Sequence, residues 1–185
     1  MSDSLAPSLL LAMPQMMDPN FARTVVLLCR HGAEGAFGLV VNRPLPSPGQ
    51  VVFNLDPPVE TGDVPLWVGG PVEPERSWIL VGGRTADALD PDEGLSVSEG
   101  LSLSTSPDLL RTILTGTPPP YTKLVVGYAG WAPGQLESEF ETASWLMSDV
   151  DIDLLFNTPA DRMWEAAIRR LGADPATLQT SRGVH

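Results

Sequence analysis

Apolar residues along this chain fall in short blocks cut apart by glycine, proline and polar turns, and block lengths of three to six suit strands better than helices. Leu9–Met13 is one candidate strand. Thr24–Cys29 is almost continuously apolar, which predicts a strand buried on both faces. Ala36–Asn42 is another, and the Arg30–Gly35 link with its two glycines reads as a hairpin loop. Leu66–Val68, Trp78–Val81, Leu95–Val97, Leu101–Leu103 and Leu124–Tyr128 complete the set. Pro44–Pro65 is rich in Pro, Gly and Asp and predicts a surface excursion within one domain.

Three segments switch to helical spacing. Ser106 suits an N-cap, Pro107 the first turn and Gly116 the C-terminal stop, with Leu109, Leu110, Ile113 and Leu114 as the apolar stripe. A second helix is predicted to begin near Pro133, with Leu136, Phe140 and Ala143 on one face. The third is capped by Thr158, opened by Pro159 and ended by Gly172, and its stripe is Met163, Trp164, Ala167, Ile168 and Leu171. Strands outnumber helices without regular alternation, so the fold class is α+β, in a chain of 185 residues that suits a single domain, 1–185.

Charge narrows the function classes. The formal net charge is −12, Lys123 is the only lysine, and residues 134–165 carry eight acidic side chains against Arg162. Nucleic-acid binding draws its affinity from cations on phosphates, so no direct nucleic-acid contact is expected. No apolar run approaches the ~20 residues of a membrane span, so no membrane partner is expected. The start of the chain lacks the basic region of a secretory signal. One cysteine, Cys29, excludes an internal disulfide framework and fits a reducing compartment.

Candidate chemistry is sparse. Cys29 and His31 are two apart, which in a regular strand puts them on one face, yet neither a zinc site nor a nucleophile pair has further ligands to draw on. Asp149, Asp151 and Asp153 have the spacing of a calcium loop but lack its glycine and its closing glutamate, and no metal is expected. Gly127, Gly130 and Gly134 fit neither dinucleotide nor triphosphate fingerprints, and no cofactor is expected. Leu124–Leu136 still reads as a strand, a glycine turn and a helix N-terminus, a geometry that can aim N–H groups at an anion. The candidate ligand-binding residues are therefore His31, Asn42, Gly127, Tyr128, Gly130, Trp131 and Gly134. Glu137, Glu139 and Glu141 predict an acidic helix face suited to a basic protein partner.

Ala12-Met13-Pro14, Asp18-Pro19-Asn20-Phe21, Cys29, His31, Gly35-Ala36-Phe37-Gly38, Val41-Asn42-Arg43-Pro44, Gly69-Gly70-Pro71, Gly127-Tyr128-Ala129-Gly130-Trp131, Gly134-Gln135-Leu136-Glu137 and Trp145-Leu146 occur in an order that resembles the AlgH/YqgE family, from about Leu9 to Leu178. The resemblance implies one α+β domain, with a complex mixed, partly barrel-like sheet surrounded by helices, in a bacterial cytoplasmic protein. Family members are often labelled transcriptional regulators, and the family supplies no catalytic residues to transfer. Residues and resemblance together point first to a non-enzymatic regulatory or interaction protein acting through a protein partner. A small-ligand or anion binder, or an enzyme, using the Gly127–Gly134 turn comes second. A regulator in direct contact with DNA comes third, opposed by the charge. Oligomeric state carries no sequence signal.

Overall fold

A computed structural model of the chain describes residues 4–19, 21–45, 52–53, 59–60, 64–83, 94–115, 119 and 121–174. Eleven strands are described: β1 (Ser8–Ala12), β2 (Val25–Gly32), β3 (Gly35–Val40), β4 (Val52–Phe53), β5 (Val59–Glu60), β6 (Leu66–Val68), β7 (Val72–Gly82), β8 (Gly94–Ser98), β9 (Leu101–Ser104), β10 (Thr122–Trp131) and β11 (Trp145–Ser148). The described helices are α1 (Pro107–Thr115), α2 (Gln135–Glu141), α3 (Ile152–Asn157) and α4 (Ala160–Arg170). Nine strands form one open sheet in the order β11-β1-β2-β3-β10-β7-β9-β8, with β6 added parallel beside β10. Every other pairing in it is antiparallel. The fold is α+β, and its sheet is mixed through the single β6–β10 pair. Of the predicted excursion at Pro44–Pro65, the short β4–β5 pair is described. Residues 46–51, 54–58 and 61–63, like Asn20, Gly116, Leu178 and His185, lie outside the described residues.

The sheet is buried on both faces, which is why its strands read as apolar runs. One face of both halves curls around a central core: Leu9, Leu11, Val25, Leu27 and Leu39 meet Trp78, Leu80, Leu103 and Val125, and α3 and α4 cover it with Leu155, Met163, Trp164 and Ile168. The opposite face of the β11–β3 half packs Leu10, Val26, Leu28 and Val40 under Leu136 of α2. The opposite face of the β7–β10 half packs Ile79, Val81, Leu124 and Val126 under Leu110, Ile113 and Leu114 of α1.

Two bulges set which face each residue meets. Leu28 pairs with Gly38, but Arg30, not Cys29, pairs with Phe37, so the chain gains one residue at Cys29. Cys29 stays in the central core, where burial pushes its thiol up to about 12, and His31 turns to the opposite face. The predicted shared face of Cys29 and His31 is thus undone by the bulge. A second bulge falls at Gly127, between Val126 and Tyr128. Gly127 has φ +78°, and a Cβ there would lie 2.5 Å from the Gly70 carbonyl oxygen. After it Tyr128 faces the central core, while Ala129 and Trp131 face α2.

Other boundaries differ from expectation for local reasons. β10 runs on through Trp131, so Gly127–Trp131 is strand, and the turn before α2 is limited to residues 132–134. The second helix is shorter than its pattern, because Ala143 adopts φ +56° beyond its end. Ser106 does cap α1, its Oγ accepting from Leu109 N at 3.2 Å. Thr158 does not cap the last helix: it ends α3, and Pro159 precedes α4 without a side-chain cap. α3 and β11 were not anticipated. Asp151 opens α3 by accepting from Leu154 N at 2.8 Å, and it also pairs with Arg170, which holds its carboxyl below the usual range. That assignment uses the middle aspartate of the calcium-like series as a helix cap.

The bulge makes opposite demands on two neighbouring glycines. Gly127→Ala meets both a positive φ and a backbone collision and should lose about 2 kcal/mol or more of stability. Gly130, whose added Cβ would meet only Tyr128 Cε2 at 3.8 Å, should accept alanine with a loss well under about 1 kcal/mol. Urea unfolding of the two variants checks the pair.

Candidate functional site

The two bulges align β2, β3 and β10 into rows. His31, Ala36 and Trp131 form one cross-strand row facing α2. Arg30, Phe37 and Gly130 form the adjacent row, facing the other way.

The α2 side of this arrangement is occupied by intramolecular bonds. Glu139 Oε1 accepts from Trp131 Nε1 at 3.1 Å and from Trp145 Nε1 at 2.8 Å, and its Oε2 accepts from Gln135 Nε2 at 2.9 Å. Phe21, Trp131 and Trp145 pack around this carboxylate, with centroid separations of 5.8–6.4 Å. His31 Nδ1 accepts from Leu5 N at 3.1 Å, which places the proton of the neutral ring on Nε2. That Nε2 lies 3.4 Å from Glu137 Oε1 without hydrogen-bond geometry. Glu137 is held below the ordinary carboxylate range, first by its own backbone N–H and then by His31. His31 therefore ties the segment before β1 to the β2–β3 hairpin. A cleft of about 730 Å³ opens beside it, lined by His31, Trp131 and the hairpin.

On the opposite face, Arg30, Phe37, Arg76, Trp78 and Tyr128 line a cleft of about 550 Å³ floored by β8 and β9. Phe37 packs 5.2 Å from Trp78 and 5.1 Å from Tyr128. The Arg76 guanidinium stacks 4.4 Å above the Trp78 ring. Tyr128 Oη donates to Glu73 Oε2 at 2.7 Å, and that hydrogen bond raises its phenol above the usual range. Trp78 is 91% buried, and among the described residues its Nε1 has no acceptor. Two guanidinium groups and three rings can recognise a flat anion: the rings offer apolar, polarisable contact and the guanidinium groups pair with its charge.

The sequence-predicted residues are thus divided between two faces. His31 and Trp131 belong to the α2 side and Tyr128 to the opposite cleft. Gly127 and Gly130 shape β10 between them. Gly134 starts α2 with φ +79°, and no side chain caps that helix. Asn42 stands apart: its Oδ1 accepts from Val25 N and its Nδ2 donates to Arg23 O, so it ties the end of β3 to the entry of β2. Arg43 continues the tie through the carbonyls of Pro19 and Ala22.

Sequence reasoning passed over Arg30, Arg76, Trp78 and Lys123. Its standing as the only lysine, at the start of the apolar run Leu124–Val126, was the available signal for Lys123. No signal marked Arg30, since its facing depends on the bulge. Among the described residues no three His, Cys, Asp or Glu side chains converge on one point, and no helix is long and apolar enough to cross a membrane.

An open, almost wholly antiparallel sheet, phased by bulges and flanked by helices, defines an α+β protein with clefts beside its strand rows. The sequence model of the AlgH-like family matches residues 9–176, and the chain belongs to that family. It is 39% identical over 187 residues to a UPF0301 protein of Paracoccus denitrificans, covering 98% of this chain and 97% of that one. It is 43% identical over 182 residues to one of Anaeromyxobacter dehalogenans, covering 93% and 90%. The solution structure of the AlgH protein from Pseudomonas aeruginosa matches with TM-score 0.75 at 36% identity, covering 96% of this chain and 94% of that chain. A crystal structure from Corynebacterium diphtheriae, at TM-score 0.65 and 24% identity, shares the fold.

Glu139→Ala removes the acceptor of two indole N–H groups and should cost about 2–4 kcal/mol. Glu139→Gln, which retains a carbonyl oxygen there, should cost less than half as much. Equal losses in urea unfolding would contradict this, because glutamine fills the same space and keeps an acceptor.

Proposed function

We propose that this chain is a binding protein for a small, flat anion, carried in the cleft between Arg30 and Arg76. The observation behind this reading is that, among the described residues, Arg30 and Arg76 are the charged side chains lining a cleft walled by Phe37, Trp78 and Tyr128, within a chain of net charge −12. Arg76 is half exposed, stacked on Trp78 and 3.7 Å from Glu73, so it is positioned at the mouth rather than locked inside. Gly130 leaves the row beside Phe37 without a side chain, which keeps space open near Tyr128.

This reading retains the small-ligand alternative and moves it away from the helix N-terminus. Action through a protein partner on the acidic face of α2 draws less support, because Glu137 and Glu139 already serve His31 and the two indoles. No reaction is assigned to the cleft.

Titration with 2-naphthoate and with 2-naphthamide, followed by tryptophan fluorescence, tests the proposal. The carboxylate should bind and the amide should bind at least about tenfold more weakly, as loss of a charge-assisted pair requires. Arg76→Ala should weaken the carboxylate by a similar factor and leave the amide unchanged. Equal affinity for both compounds, or indifference to Arg76→Ala, overturns it.

A further inference from the structure

Lys123 is the only lysine in the chain, and it is 8% exposed. It lies on β10 opposite Leu80 of β7, two residues before Val125 of the central core. Its Nζ donates to the Val41 carbonyl at 3.2 Å and sits 4.3 Å from the centroid of the Trp67 ring. Among the described residues no carboxylate pairs with it. A purely structural buried ammonium is ordinarily matched by a carboxylate or by several acceptors, because desolvation of the charge is otherwise uncompensated. One carbonyl and one ring fall short of that, and burial lowers the amine to about 8.

Lys123 also borders open space. A cleft of about 570 Å³, separate from the anion cleft, is lined by Lys123, Trp67, Ile113, Tyr121, Phe156 and Asn157 among others. Its walls are largely apolar and aromatic. Tyr121 and Asn157 supply a hydroxyl and an amide, 3.5 Å apart. Among the described residues no second cation lines the cleft to receive an anionic substrate or to hold a carbamate. The chemistry that fits is a neutral amine facing a neutral, largely apolar carbonyl compound.

We propose that Lys123 is a nucleophilic amine that forms an imine with a small apolar aldehyde or ketone bound in this cleft. The nitrogen lone pair of Lys123 attacks the carbonyl carbon and an N–C bond forms. The C=O π pair moves to oxygen, which takes up a proton while nitrogen loses one, giving a carbinolamine. Loss of hydroxyl as water, with the second proton from nitrogen, leaves C=N. The net change is amine plus carbonyl to imine plus water, with no oxidant or reductant consumed. Trp67 and Phe156 flank the apolar body of the substrate, and the Tyr121 hydroxyl, oriented by Asn157, whose Nδ2 also donates to Asp153 Oδ1 at 2.7 Å, is the group on that wall able to donate to the carbonyl oxygen.

The single lysine makes the test clean, since the only other primary amine is the chain's own α-amine. Native protein is treated with benzaldehyde and sodium cyanoborohydride, which reduces an imine to a stable secondary amine, and the Lys123 peptide is followed by mass spectrometry. The same chain in urea serves as comparator. At pH 7 native Lys123 should be modified faster than in the unfolded chain by about tenfold or more, because an ordinary lysine near 10.4 is far less deprotonated there. The native rate should saturate with benzaldehyde and reach half its maximum near pH 8. Lys123→Arg should leave only the α-amine labelled. Slower modification of Lys123 in the native protein than in urea overturns the proposal, as does a rate that rises linearly with benzaldehyde. Either result makes Lys123 a buried structural cation.

Discussion

Burial of a single sheet on both faces is the constraint from which the other features of this protein follow. In a sheet with one wet face, a one-residue slip exposes an apolar set to water. Here it exchanges one core for another. Leu9 and Leu11 belong to the central core and Leu10 to the layer under α2, and the same alternation runs through β2, β3, β7 and β10. Facing is therefore controlled by inserted residues. The extra residue at Cys29 and the bulge at Gly127 place His31 and Trp131 under α2 and release Arg30 and Tyr128 to the opposite cleft. Close backbone approach is the cost of that phasing: the Gly70 carbonyl leaves no room for a Cβ at Gly127, and the Tyr128 carbonyl leaves none at Gly70.

Electrostatics follow the same geometry. The chain is strongly acidic overall, yet cations line two of its clefts: Arg30 and Arg76 one, Lys123 another. Several acidic residues that look like a solvated surface have internal tasks. Glu139 holds two indoles, Glu137 faces His31, and Asp151 caps α3 while pairing with Arg170. The charge that argues against nucleic acid is thus partly structural.

Much of the fold was legible because doubly buried strands leave continuous apolar runs. β1, β2, β3, β6 and β9 lie where those runs lie, and α1 follows from Ser106 and its stripe. The first half of β7, Val72–Ser77, is charged, contains Pro74 and is largely exposed, so it carries no strand signal even though it pairs back to β10. α3 is six residues long and hid behind an aspartate series. The site was less legible. Bulges leave no mark in a single strand because parity is defined only against a partner, so Cys29–His31 read as one face and Gly127–Trp131 read as a turn. Tyr128, His31 and Trp131 were visible as chemistry, while their separation onto two faces was not. Lys123 was visible as the lone lysine, but its burial depends on β6 and β7, which flank it only in the folded sheet.

β10 joins these parts. It pairs with β7 on one edge and with β6 and β3 on the other, and it carries Lys123, the bulge, Tyr128 and Trp131 in sequence. If the two halves of the sheet are one cooperative unit held by this strand, the backbone amides on both sides of the bulge must open together. Native-state hydrogen exchange at increasing urea measures that directly. The amides of Val125 and Val126 and those of Ala129 and Trp131 should converge on one opening free energy, equal to that of global unfolding. Exchange of one group through a lower-energy opening that leaves the other protected would contradict the account, and would make the halves separate units joined at Gly127.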